Sequence, residues 1–234
     1  MKYDNLIFDL DNTLFDFDAG EHQALTELFR RHQWSLPDDR RQRYLQYNKG
    51  PWRMTERGEI TKDQLFQNRF KDFIWAEFAI KIGLEVDQEY LNLLAHQAQL
   101  LPGAMETLRL AKELGFEMNV ITNGAKLTQA QRLELSGIKP YFNTIIISSE
   151  VGIEKPDPQI FATLFEQQHL QKQGSLMIGD GVASDLTGAQ QFGIDSLWYN
   201  IYQETLPKEL SVKYQVMNND QLQATLRKIA KSDA

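Results

Sequence analysis

The sequence predicts an α/β fold: a mostly parallel sheet covered by helices on both faces, interrupted once by a helical insertion. Three observations carry this. Short apolar runs recur along the chain and each ends in polar residues. Helical patterns of about ten residues separate these runs. Between residues 15 and 100 the chain keeps helical periodicity but offers no convincing strand. Strands alternating with helices need crossover connections, and these are right-handed and build a parallel sheet with both faces covered.

The first run, Leu6-Ile7-Phe8, breaks into Asp9, Asp11 and Asn12 and reads as a buried strand entering a loop. Further strands are expected at 118–121 before Thr122-Asn123-Gly124, at 144–147 before Ser148-Ser149, and at 176–178 before Gly179-Asp180-Gly181. A fifth is expected near 196–199 and a short sixth near 214–216. Helices are expected at 105–114 closed by Gly115, 127–135 closed by Gly137, 158–165, 184–192 closed by Gly193, and 220–229. A glycine just past a helix supplies the left-handed position there, and Asp157-Pro158 reads as an N-cap followed by a first-turn proline. Within the insertion Leu25, Leu28 and Phe29 share a helical face, and another helix is expected over 88–100. Pro102-Gly103 marks the return to the sheet. The expected organisation is therefore a core of residues 1–14 and 101–234 with a helical cap of residues 15–100 placed directly after the first strand.

At 234 residues, with 42% apolar and 24% charged side chains, the chain can bury a full core and is not of disordered composition. Its formal charge of -7, with Lys/Arg clusters as short as Arg40-Arg41 and Arg227-Lys228, argues against a nucleic-acid polymer as partner. It has no cysteine, which excludes disulfides, thiolate metal sites and thiol nucleophiles. The first residues, Met1-Lys2-Tyr3-Asp4-Asn5, lack the apolar core of a signal peptide, and no stretch is long enough to span a membrane. The expectation is a cytoplasmic protein with no membrane partner, monomeric or homodimeric.

An open parallel sheet binds ligands beyond the carboxyl ends of its strands, where the strand order reverses. Asp9, Asp11, Thr122 and Asp180 all fall at expected carboxyl ends. One aspartate at such a place would be read as a helix cap. Delivered together to one rim, acids and a hydroxyl point to chemistry. Asp9 and Asp11 suit a nucleophile and a proton carrier. Asp180 and Asp185, across a glycine-rich turn, suit a hard cation, and three or four oxygens fit magnesium. Lys155, in Glu154-Lys155-Pro156-Asp157-Pro158, stands in a loop stiffened by two prolines, and its point charge suits a phosphate.

Asp9-Leu10-Asp11-Asn12-Thr13, Ile121-Thr122-Asn123-Gly124, Lys155-Pro156 and Gly179-Asp180 with Asp185 resemble the four successive motifs of the haloacid dehalogenase superfamily. The resemblance covers nearly the whole chain and implies a Rossmann-like core with a helical cap. Within the cap, the segment from Trp52-Arg53 through Glu56-Arg57-Gly58-Glu59-Ile60-Thr61 resembles a pyrimidine 5′-nucleotidase subgroup that acts on nucleoside monophosphates. The resemblance implies a phosphoric monoester hydrolase in which Asp9 attacks phosphorus and forms an aspartyl-phosphate. It implies that Asp11 moves protons, and that Thr122, the amides near Asn123, and Lys155 bind phosphate. Mg2+ would be held by Asp9, the Asp11 carbonyl and Asp180, with Asp185 as a ligand or supporting partner. Thr13 is expected to orient its loop and not to react.

Dehalogenase members of the superfamily lack an acid two residues after the nucleophile, so Asp11 disfavours carbon–halogen hydrolysis. A phosphomutase or a sugar-phosphate phosphatase would keep all four motifs. A response-regulator-like signalling domain would be about half as long, and a catalytically silent binding protein would be expected to have lost some of these groups. Discrimination among phosphomonoesters is expected from the helical cap, where Phe15, Phe17, Trp52, Phe66, Phe70, Phe73, Trp75 and Phe78 include mostly core rings and some available to stack on a base. The expected partner is thus a small phosphomonoester, specifically a nucleoside monophosphate with pyrimidines preferred.

Overall fold

The computed structural model describes residues 3–231, so the outermost ends expected for the core, residues 1–2 and 232–234, lie outside the described residues. The chain opens with β1 (Asn5–Phe8). Helices α1 (Phe17–Arg31), α2 (Asp38–Glu56), α3 (Lys62–Phe78) and α4 (Glu85–Ala95) follow. Then come α5 (Ala104–Glu113), β2 (Glu117–Thr122), α6 (Lys126–Ser136), β3 (Thr144–Ile147), α7 (Ser148–Val151) and α8 (Pro158–Gln168). The chain closes with β4 (Ser175–Gly179), α9 (Thr187–Phe192), β5 (Asp195–Tyr199), β6 (Tyr214–Val216) and α10 (Asn219–Lys231).

The strands form one sheet of order β3-β2-β1-β4-β5-β6, and every neighbouring pair is parallel. The α/β fold expected from sequence is the fold observed. Alternation along the central strands builds a core on each face. Leu6 and Phe8, Met118 and Val120, and Leu176 and Ile178 face one way, toward Ala104, Leu108 and Ala111 of α5 and Leu222, Leu226 and Ile229 of α10. Ile7, Ile121 and Met177 face the other way, toward Ile160, Phe161, Leu164 and Phe165 of α8 and Ala189 of α9. The order runs outward from β1 to β3 and then restarts at β4 on the opposite side of β1. The switch point therefore lies between β1 and β4, where the strand ends open a crevice.

The chain divides into two compact units, Met1–Asp18 with Ala98–Ala234, and Ala19–Gln97. This division lies a few residues inside the limits read from the sequence. The chain on either side of the helical unit is bound to the core by a β-bridge between Phe15 and Leu100, and Leu101 N–H donates to Leu14 O at 2.8 Å. Phe15, expected in the insertion, is fully buried in the sheet-side core instead.

The second unit is helical throughout, with a core that includes Leu25, Leu28, Phe29, Leu65, Phe70, Phe73, Ile74 and Tyr90. Its last helix runs over Glu85–Ala95 and not over 88–100, because residues beyond Ala95 turn and extend toward the Leu100 bridge. Gly58 takes φ +69° to reverse the chain after α2. Thr61 caps α3, its hydroxyl accepting from Gln64 N–H while the Gln64 side chain accepts from Thr61 N–H. Trp52 and Phe66 are half-buried and meet edge to face at 6.1 Å, whereas Trp75 is 52% exposed. No helix among the described residues is long and apolar enough to cross a membrane.

Candidate active site

Asp9 follows β1 directly, and its N–H donates to Ile178 O at 2.9 Å, so the pairing with β4 continues one residue past the strand. The chain then folds back on itself as Leu10 O accepts from Leu14 N–H at 2.9 Å and Phe15 N–H at 2.8 Å. Asn12 takes φ 55° in this turn, a left-handed position that asparagine tolerates better than most residues. Thr13 is fully buried, and its Oγ1 accepts from Asp180 N–H at 3.1 Å. Thr13 thus ties the loop after β1 to the loop after β4, the orienting part expected of it.

Lys155 is the centre of charge. Its side chain is 1% exposed, and Nζ lies 2.6 Å from Asp9 Oδ1, 2.7 Å from Asp185 Oδ1 and 2.7 Å from Ile121 O. Nζ donates hydrogen bonds to Asp9 Oδ1 and Ile121 O, and its contact with Asp185 is an ion pair. Asn123 places it: the Asn123 side chain donates to Lys155 O at 2.8 Å and accepts from Lys155 N–H at 2.9 Å. The asparagine expected near a phosphate thus also clamps the lysine loop.

After β4 the chain enters a single π-helical turn over Val182–Leu186 before α9, in place of the plain helix from 184 expected by sequence. Gly181 O accepts from both Asp185 N–H and Leu186 N–H, and the Asp185 carboxylate reaches back to Gly181 N–H at 2.9 Å. Asp185 fills the space the glycines leave. A Cβ on Gly179 would stand 2.2 Å from Asp185 Oδ2, and one on Gly181 would stand 2.2 Å from Ser184 Oγ. Asp180 is held by both backbone ends, through Thr13 at its N–H and Trp198 Nε1–H at its carbonyl, 3.1 Å away.

Asp9, Asp180 and Asp185 bring carboxylate oxygens within 4.8 Å of one another. Burial pushes the Asp9 carboxyl up to about 7; the Lys155 charge opposes this rise, and Asp185 and Asp11 add to it. Asp180 is raised well above the usual carboxylate range, by burial first and then by the charges of Asp9 and Asp185. Burial alone would lower Lys155, but the carboxylates of Asp185 and Asp9 outweigh it and hold the ammonium form. Two carboxylates thus share one ammonium, with a third beside them. An oxygen-liganded divalent cation matches that donor set and would offset the burial and the mutual repulsion that raise Asp9 and Asp180.

Asp11 is turned elsewhere. Its Oδ1 lies 2.5 Å from Arg132 Nη1 and its Oδ2 accepts from Gln129 Nε2 at 2.9 Å, both donors on α6. Gln129 also donates to Thr122 Oγ1 at 2.9 Å, and Gly124 N–H reaches the same hydroxyl at 3.3 Å. Gln129 and Arg132 were not anticipated from the sequence. No sequence signal marked them, because the structure inverts the helix: Leu127 and Leu135 of α6 are 78% and 53% exposed, whereas Gln129 and Arg132 are buried beside Leu133.

A family model of haloacid dehalogenase-like hydrolases matches residues 3–193. The chain is 36% identical over 201 residues to the pyrimidine 5′-nucleotidase PynA of Streptococcus pneumoniae, covering 86% of this chain and 85% of that protein. It is 31% identical over 229 residues to the pyrimidine 5′-nucleotidase YjjG of Escherichia coli, covering 97% and 100%. Among solved structures, the HAD-hydrolase YfnB of Bacillus subtilis bound to magnesium superposes with a TM-score of 0.91 at 31% identity, over 97% of this chain and 99% of that one. With its four motifs gathered on one rim of a parallel sheet, the chain belongs to the haloacid dehalogenase-like hydrolases.

Proposed function

We propose that this protein is a magnesium-dependent phosphomonoester hydrolase that works through an aspartyl-phosphate on Asp9 and acts on nucleoside 5′-monophosphates, pyrimidines above purines. The observation that carries the reading is Asp9 itself: a carboxylate at the switch point, held by the buried ammonium of Lys155, with a second acid two residues on.

An Asp9 oxygen attacks phosphorus as the bond to the ester oxygen breaks, and Asp11 gives that departing oxygen its proton. The Asp11 carboxylate then takes a proton from water as the water attacks the aspartyl-phosphate. The bond from phosphorus to Asp9 breaks, inorganic phosphate leaves, and both acids return to their starting forms. Thr122, the amides near Asn123 and Lys155 bind phosphoryl oxygens and offset their charge, which is where such a reaction is most accelerated. Magnesium, held by Asp9, Asp180 and Asp185 with the Asp11 carbonyl, would supply a positive charge that draws the phosphoryl group toward Asp9.

The nucleotide preference rests on the two relatives named pyrimidine 5′-nucleotidases, at 36% and 31% identity, and on the half-buried ring of Phe17. A base stacked on one such ring gains about 1–3 kcal/mol. The test is kcat/KM for uridine or thymidine monophosphate against glucose 6-phosphate, with and without magnesium. Nucleotides are expected to lead by roughly tenfold or more, the worth of that stacking. Equal or better turnover of the sugar phosphate would end the nucleotidase reading, and activity independent of magnesium would end the metal assignment.

A further inference from the structure

Arg132 is a fully buried cation, and a buried charge is tolerated only where it is paired and hydrogen-bonded. Its partner is Asp11. The guanidinium lies 4.1 Å from the centroid of the Phe15 ring and 5.8 Å from that of Phe17, so aromatic faces help fix its plane. Gln129 is 1% exposed and stands three residues earlier on α6, on the same helical face. Its Oε1 accepts from Arg132 Nη1 at 2.9 Å, while its Nε2 serves Asp11 Oδ2 and Thr122 Oγ1. Gly124 leaves room for it, since a Cβ there would stand 2.4 Å from Gln129 Cγ and Nε2.

We infer that Arg132 and Gln129 are positioning residues that set the orientation of Asp11 and couple it to the Thr122 hydroxyl. This rests on the reading of the site as a phosphomonoesterase, in which Asp11 carries the proton. A burial role alone would ask only that Arg132 have one counter-charge. The geometry does more: each oxygen of one carboxylate is held by a different side chain, the two side chains are bonded to each other, and one of them extends to the phosphate-binding hydroxyl. Proton delivery depends steeply on placement, and a misplacement of about 1 Å can cost about 100-fold. Rigid fixation of Asp11 therefore acts on rate. Both residues work through Asp11 and neither touches the reacting phosphate.

The experiment compares Arg132→Met with wild type on an alkyl ester, uridine 5′-monophosphate, and an aryl ester, 4-nitrophenyl phosphate, both with magnesium. The readout is kcat/KM, which reports steps up to departure of the leaving group. An alkoxide needs a proton to leave and a nitrophenolate scarcely does. We expect a loss of about 100-fold for the alkyl ester and under about 10-fold for the aryl ester, within the range general acids contribute. In an Asp11→Asn background, adding Arg132→Met should leave 4-nitrophenol release unchanged within about twofold. Should Arg132→Met not fold, Gln129→Leu is read the same way and is expected to give the same unequal losses. Equal losses on the two esters, or a further drop in the Asp11→Asn background, would overturn the positioning role. If wild type hydrolysed neither ester, the phosphomonoesterase reading would fall and this inference with it.

Discussion

The core and the helical unit each bury a basic side chain against carboxylates, and they do so in different proportions. In the helical unit Arg69 and Asp87 pair at 2.6 Å with side chains 2% and 5% exposed, one charge to one charge. The Arg69 guanidinium lies 4.7 Å from the Tyr90 ring centroid and 5.2 and 5.3 Å from those of Phe66 and Phe70. Burial pushes the Asp87 carboxyl up and Arg69 pulls it back. In the core, Lys155 is shared by Asp9 and Asp185, with Asp180 beside them. The first cluster is closed, balanced and lined with rings. The second carries surplus negative charge at the carboxyl ends of the central strands β1 and β4, where the switch point leaves space. A balanced pair can serve stability, while an unbalanced one calls for a cation and leaves a carboxylate reactive.

Substitutions should separate the two. The largest expected effect is that of Asp9→Asn, which keeps the side chain's size but removes the nucleophile. Turnover should fall by at least about 1,000-fold with an unchanged circular dichroism spectrum. Retention of more than a few per cent of activity in a clean preparation would refute the nucleophile assignment.

Next in size is Arg69→Met, which strands a buried carboxylate and should cost about 3–5 kcal/mol of stability in urea unfolding. Replacing both partners, Arg69→Met with Asp87→Leu, should recover much of that loss because no buried charge is left alone. A double variant no more stable than the single one would show that the pair is not the balanced unit described above.

Asp180→Ala takes one oxygen from the surplus cluster. The magnesium concentration for half-maximal activity should rise by roughly tenfold or more, since even partners outside the ligand set shift affinity by about that much. A magnesium titration superimposable on wild type would remove Asp180 from the cation site. The smallest effect belongs to Thr61→Ala, which breaks the capping box of α3 at a cost of about 1 kcal/mol and touches no charge in either cluster. Thermal unfolding should register it, and kcat should stay at the wild-type value.

The amino-acid sequence by itself determined the strands, the helices that alternate with them, and the place where the rhythm stops. These are local matters of periodicity and punctuation: Leu6-Ile7-Phe8 before an acid, Gly137 and Gly193 after helices. It also marked Asp9, Asp11, Thr122 and Asp180, because residues at strand ends stand out against the apolar runs before them, and Lys155 and Asp185 through the proline-stiffened loop and the glycine-rich turn that carry them. The chain's folding back decided the rest. That Phe15 belongs to the sheet-side core followed from its bridge to Leu100, with the whole helical unit between them in sequence. That Asn123 holds the Lys155 backbone depended on two loops 32 residues apart in sequence meeting. Gln129 and Arg132 looked like ordinary polar positions of an amphipathic helix, more than a hundred residues from the acid they hold. Which face of α6 is buried is set by the sheet beneath it and not by the helix's own leucines. A side chain's neighbours in space are not encoded in its spacing along the chain, so only the packed structure could assign these two residues to Asp11.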